Sequence, residues 1–228
     1  MIPLRDSEAS RRLTATNSLL IVLNCAVFFM EMRLGKDAEV SLMPFAMVPA
    51  QISHLSAAPS RLRVLGTLVT SLFLHGGLLH IAGNMLYLLI FGPAVEQRLG
   101  QLRYLFFYLL AGVAGGFAMV AMGPQSRVPV IGASGAIAGV LGAYFVLYPR
   151  GRIITILPVF IIDVIEIPAI FYLLAWFAVQ LYAGIKAGAQ GPLVGGVAWW
   201  AHVGGFLFGI AVAPLLAPHL ATKQASRR

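Results

Sequence analysis

The chain has 228 residues, of which 59% are hydrophobic and only 11% charged, and its mean hydropathy is +0.87. Soluble domains carry roughly 45–50% apolar and about 25% charged residues, so a soluble enzyme, a disordered chain and a secreted disulfide scaffold are excluded, leaving a polytopic membrane protein. The net charge of +8 would point to nucleic acid in a soluble protein. Here the basic residues sit between apolar runs and at the chain ends, the pattern of cytoplasmic loops, so no nucleic-acid partner is expected.

A spanning helix needs about 20 mostly apolar residues. Six spans are predicted, over about 14–32, 78–97, 102–122, 132–148, 167–185 and 198–216. The fold class is an all-α six-transmembrane-helix bundle over 14–216, with a cytoplasmic N-terminal segment 1–13, a basic cytoplasmic tail 217–228 and no soluble domain at either end. The first run continues through Met30-Glu31-Met32 without a small-x-small exit, so it reads as a span rather than a cleaved signal. Cys25 lies within it as the single cysteine, which allows no internal disulfide.

Residues 33–65, with Pro44, Pro49 and Pro59, are too polar to span, and the stretch Leu42 to Val48 predicts an interfacial segment. Residues 153–185 are too long for one span and contain Asp163, Glu166 and Pro168, so 153–165 is read as an apolar approach to the fifth. Six spans put both ends on one side. Arg5, Arg11, Arg12, Arg98, Arg103, Arg150, Arg152, Lys223, Arg227 and Arg228 share that side, which makes both termini cytoplasmic. The absence of an internal repeat weighs against a transporter, as does polarity confined to one end of the spans.

Polar residues in spans default to function, because facing them to lipid is costly. In this topology spans two, four and six each begin at the outer side. His80 and Asn84 open span two, Ser134 opens span four and His202 opens span six, so separate segments bring polar groups to one depth. Ser134 sits in Gly132-Ala133-Ser134-Gly135, at a helix start where free N–H groups and the dipole favour an oxyanion. It can equally be a helix cap. His202 lies in Ala201-His202-Val203-Gly204-Gly205. Gly135 with Gly139, and Gly205 with Gly209, make small-residue faces that let two helix backbones approach closely. That approach suits a serine activated by a histidine base, or two polar side chains gluing helices together.

His80 and Asn84, at i and i+4, share a helix face and both donate hydrogen bonds, as oxyanion donors or as interhelical glue. His75 is expected in the outer loop or interface, and His54 and His219 on the surface. No His-Glu-x-x-His motif, phosphate loop or pair of intramembrane aspartates is present, and no carboxylate falls at the outer face to complete a triad. Glu96 is expected to pair with Arg98 near the inner surface.

Three motifs together resemble the rhomboid family of intramembrane serine proteases: His75-Gly-Gly-Leu-Leu-His80-Ile-Ala-Gly-Asn84, Gly132-Ala133-Ser134-Gly135 with Gly139 and Gly142, and Ala201-His202-Val203-Gly204-Gly205 with Gly209. Gly92-Pro93-Ala94-Val95-Glu96-Gln97-Arg98-Leu99-Gly100 also looks like the end of the family's second helix. The resemblance runs from about residue 17 to 216.

It implies a bacterial six-helix form in the inner membrane that cleaves transmembrane protein substrates through an acyl-enzyme. Ser134 would be the nucleophile and His202 the general base. His80, Asn84 and the Ser134 N–H would be the oxyanion donors, in a cavity open to the outside, with no metal or small cofactor. Two features depart from the family. The aromatic residue that often follows the serine by four positions is Ala138 here, so another side chain must hold His202. The family's Trp-Arg pair in the first loop is also missing, since the tryptophans are Trp176, Trp199 and Trp200. A catalytically dead relative that binds membrane helices is the competing reading, against which stands the presence of both serine and histidine.

Overall fold

A computed structural model describes residues 2–8, 14–58, 60–158, 162–188 and 197–217. The basic tail, including His219, Lys223, Arg227 and Arg228, lies outside the described residues, as do Arg11 and Arg12. In chain order the elements are β1 (Ile2–Asp6), α1 (Ala15–Leu34), α2 (Ala38–Leu42), α3 (Pro49–Ser53), α4 (Arg61–Thr70), α5 (Leu78–Leu99), α6 (Gln101–Met122), α7 (Ser134–Leu147), β2 (Arg152–Pro158), β3 (Ile162–Pro168), α8 (Ala169–Gly188) and α9 (Trp199–Leu216). Among the described residues, α1, α5, α6, α8 and α9 are long and apolar enough to cross a membrane. With α7 they form the all-α bundle the sequence predicts.

α7 is the shorter, central helix. At 14 residues it is about 21 Å long, against about 30 Å for the hydrocarbon core. A helix that short is shorter than the hydrocarbon core is thick, and Ser134 stands at its first position. Every residue of α7 from Gly135 to Tyr144 is buried, with α5, α6, α8 and α9 packed around it. Burial on all sides explains why α7 is hydrophobic all round, with no amphipathic stripe.

Close packing on α7 depends on its glycines. A Cβ at Gly205 would fall onto the carbonyl oxygen of Gly135 and within 3.3 Å of the Gly139 nitrogen. A Cβ at Gly209 would fall onto the Gly139 oxygen, and one at Gly142 onto the Phe206 oxygen. The α7 and α9 backbones are therefore in direct contact, as small-residue faces allow where no hydrophobic effect drives helices together. Gly135 is looser, with the Ala201 oxygen 3.5 Å from its Cβ position. At the other end of the bundle α5 turns directly into α6 at Gly100, whose φ of +84° favours glycine.

Glu96 does not pair with Arg98. It is buried, and its carboxylate accepts the backbone N–H groups of Thr16 at 3.0 Å and Asn17 at 2.7 Å. Those are orphan donors of the first turn of α1, and a negative charge at a helix N-terminus is favourable. Asn17 in turn donates to the Leu88 oxygen at 3.0 Å and accepts from the Tyr104 hydroxyl at 2.7 Å, tying α1, α5 and α6 together.

The expected apolar approach at 153–165 is instead part of a three-stranded antiparallel sheet, β1-β2-β3. Ile153 pairs with Ile167 and Thr155 with Ile165, and Ile2 pairs with Ile156. Ile153 and Thr155 are buried while Arg152 is exposed, the period-two pattern of a half-buried strand. Arg152 and Glu166 form an exposed ion pair at 2.9 Å across it.

The loop after α1 packs through Met47, which exchanges backbone hydrogen bonds with Val130. Met47 and Leu68 are buried with Met119 of α6 and Ala201 of α9, while Met43 and Phe45 stay exposed. The Leu42–Val48 stretch therefore divides between core and surface.

Candidate active site

Ser134 is the first residue of α7, and Ala133 is its N-cap, with no side-chain capping bond. The serine does not cap the helix, and among the described residues its hydroxyl has no hydrogen-bond partner. The first backbone N–H that Ala133 satisfies is that of Ile137. Those of Ser134 to Ala136 are thus left without helical partners, at the positive end of the dipole. A cavity of about 20 Å³ touches Ser134, Ser71, Gly132 and Ala201, large enough for one water.

The approach to Ser134 is built around Gly132. Its φ of +116° is a backbone conformation that side-chain-bearing residues rarely adopt, and its N–H donates to the Ser71 oxygen at 2.9 Å. A Cβ there would meet the His80 ring, Cε1 and Nε2, at 2.7 Å and Asn84 Nδ2 at 3.7 Å. Gly132 thus serves as the floor on which two α5 side chains converge.

The hydrogen bonds fix which atoms these side chains present. The Gly76 N–H donates to His80 Nδ1 at 3.4 Å, so the His80 proton resides on Nε2, the atom facing Gly132. Asn84 Nδ2 donates one hydrogen to His75 Nε2 at 3.0 Å and retains a second. His75 lies in the loop before α5, as expected, and is buried there. Its Nδ1 donates to the Phe73 oxygen at 3.3 Å, which leaves Nε2 to accept. Its backbone N–H donates to the Glu31 carboxylate at 3.1 and 3.2 Å. Burial, then the adjacent His80, push the His75 pKa down to about 4, so the ring stays a neutral acceptor near neutral pH.

His202 is the fourth residue of α9 and follows Ala201, whose backbone oxygen and Cβ face Gly135. The α7–α9 contact thus places Ser134 and His202 on neighbouring turns. Among the described residues no hydrogen bond joins the two side chains. His202 is held from α8. Gln180 Oε1 lies 2.7 Å from Nδ1, and the Trp176 ring lies at 6.0 Å between centroids with a 33° tilt. Trp199 meets it edge-on at 6.2 Å. With alanine at position 138, the rings against His202 are Trp176 from the neighbouring α8 and Trp199 from α9 itself. Sequence reasoning missed Gln180 and Trp176, although their i, i+4 spacing on an apolar span was the available signal. His54 is exposed and far along the chain from these groups, bonded to Gln125 at 3.2 Å.

Known proteins bear on this arrangement. The model of the Rhomboid domain family matches residues 63–219, more than half of the chain. Rhomboid protease GluP of Bacillus subtilis (strain 168) is 38% identical over 126 residues, covering 55% of this chain and 23% of that protein. Putative rhomboid protease YdcA of the same organism is 38% identical over 88 residues, covering 38% of this chain and 44% of that protein. The human presenilin-associated rhomboid-like protein, mitochondrial, is 32% identical over 170 residues, 70% of this chain and 40% of that protein. The chain therefore spans less than half the length of these relatives. With its five membrane-crossing helices, the short central α7 and the domain match, the chain is a multi-pass integral membrane protein that belongs to the rhomboid family.

Proposed function

We propose that this protein is an intramembrane serine endopeptidase that hydrolyses peptide bonds in or near the transmembrane helices of other membrane proteins. Ser134 is the nucleophile and His202 its base. The observation that carries this reading is an unpartnered serine at the N-terminus of α7, flanked by Gly132 against the His80 and Asn84 side chains and by Gly135 against Ala201, the residue before His202.

His202 Nε2 takes the Ser134 hydroxyl proton as Oγ bonds to the scissile carbonyl carbon. The carbonyl electron pair moves to oxygen. His80 Nε2–H, the second Asn84 Nδ2 hydrogen and the Ser134 backbone N–H receive that charge, and a single such donor is worth about 10²–10³-fold in rate. His202 then protonates the leaving amine as the C–N bond breaks, leaving an acyl-enzyme. A water gives its proton to His202, attacks the acyl carbon, and Ser134 Oγ departs with that proton. The chain's residues suffice for each transfer. The distribution of arginines supports cytoplasmic termini and a site toward the outer face; the membrane we propose is a bacterial inner membrane.

The test is fluorophosphonate labelling of the purified protein beside Ser134→Ala and His202→Ala, followed by cleavage of a transmembrane substrate in liposomes. Labelling of the parent alone, with cleavage, is expected. Equal labelling of all three would place the reactive group elsewhere. A parent that neither labels nor cleaves would favour a scaffold that binds membrane helices.

A further inference from the structure

We infer that Gln180 is a positioning residue for the base: its side-chain oxygen accepts the Nδ1 proton of His202 and so fixes the tautomer in which Nε2 is free to take the serine proton. The inference rests on the serine-protease reading of the same site. Gln180 is buried, at 7% exposure, and its Oε1 lies 2.7 Å from His202 Nδ1. A neutral imidazole carries one proton, on either nitrogen, and which one is set by the bond the other makes. With Nδ1–H donated to an amide oxygen, Nε2 holds a lone pair.

In a serine triad a carboxylate performs this task. At this depth a buried carboxylate is costly, because the charge must leave water. An amide offers the same acceptor geometry without charge. Trp176, one turn before Gln180 on α8, supports the ring against which the bond is made. Both groups come from α8, whereas the ring itself comes from α9, so the base is competent only while the two helices are docked.

The test compares the parent with Gln180→Leu, Gln180→Met and Gln180→Glu. Three quantities are read: the rate of fluorophosphonate inactivation, kcat and KM on a transmembrane substrate, and the ¹⁵N ring shifts of histidine-labelled protein. Leu and Met remove the acceptor while keeping a buried side chain of similar size, so one serves as a check if the other disturbs insertion. Both are expected to slow inactivation and kcat by about 10²-fold, the lower end for oriented acid–base catalysis, with KM little changed. Their His202 ¹⁵N signature should lose the Nδ1–H form. Glu keeps the acceptor oxygen and should recover part of the loss, the shortfall reflecting the cost of burying its charge. A parent that labels at Ser134 while Leu and Met label equally fast would overturn the role of Gln180 alone. So would an unchanged tautomer signature in those variants. A parent that does not label at all would instead overturn the catalytic reading.

Discussion

Gly205→Ala adds one carbon at the α7–α9 contact and isolates the role of backbone approach. The added Cβ would fall onto the Gly135 oxygen and within 3.3 Å of the Gly139 nitrogen. Non-bonded carbons settle at about 3.5–4.0 Å, and backbone atoms in two packed helices cannot swing aside as a flexible side chain can. The helices must therefore separate by on the order of 1 Å, at the level of the helix turns that carry Ser134 and His202. A displacement of that size costs about 10²-fold in rate, or about 2.7 kcal/mol of transition-state stabilisation. The assay is cleavage of a transmembrane substrate in liposomes, with membrane insertion and detergent stability measured alongside. Gly66→Ala is the control, because no atom lies within 4 Å of a Cβ there and the residue is exposed on α4. Alanine in a helix interior should stabilise it by about 1 kcal/mol over glycine. Parent-level cleavage by Gly205→Ala would refute the claim that direct contact between the two backbones sets the serine–histidine geometry.

Gly132→Ala should abolish cleavage while sparing insertion, because it strains a φ of +116° and drives a carbon against the His80 ring; full activity would dissociate His80 from the site. Trp176→Ala should lower kcat by roughly 10-fold, with Trp176→Phe intermediate, if a flat ring from α8 supports His202. Glu96→Ala leaves the Thr16 and Asn17 N–H groups unpaired at the start of α1 and should cost about 1–3 kcal/mol in a thermal or denaturant assay, with little change in kcat. His75 binds its proton less readily folded than unfolded, so stability should fall as pH drops from about 6.5 toward 4; His75→Asn should flatten that dependence, and an identical profile would exclude His75 as its source.

The sequence by itself determined the membrane character and the position of the long helices. Uninterrupted apolar runs have one stable form in lipid, since each backbone group must bond within its own segment. The predicted 78–97 and 198–216 became Leu78–Leu99 and Trp199–Leu216 for that reason. Ser134, His202, His80 and Asn84 stood out as candidates because a polar residue at the end of an apolar run is costly, and the glycine spacing announced that α7 and α9 meet.

Only the tertiary structure decided the rest. Ser134 as cap or as unpartnered hydroxyl depended on Ala133 being the N-cap. Glu96 lies 79 residues from Asn17, whose N–H it accepts, so proximity in sequence favoured Arg98 wrongly. The strands at 152–158 and 162–168 resemble an apolar helix approach because a short buried run has no readable period until a partner strand is present. Gln180 and Trp176 occupy an ordinary-looking span. Their meaning arises only where α8 packs against α9, because a hydrogen bond or ring contact between helices depends on rotation about each helix axis, which the order of residues does not encode.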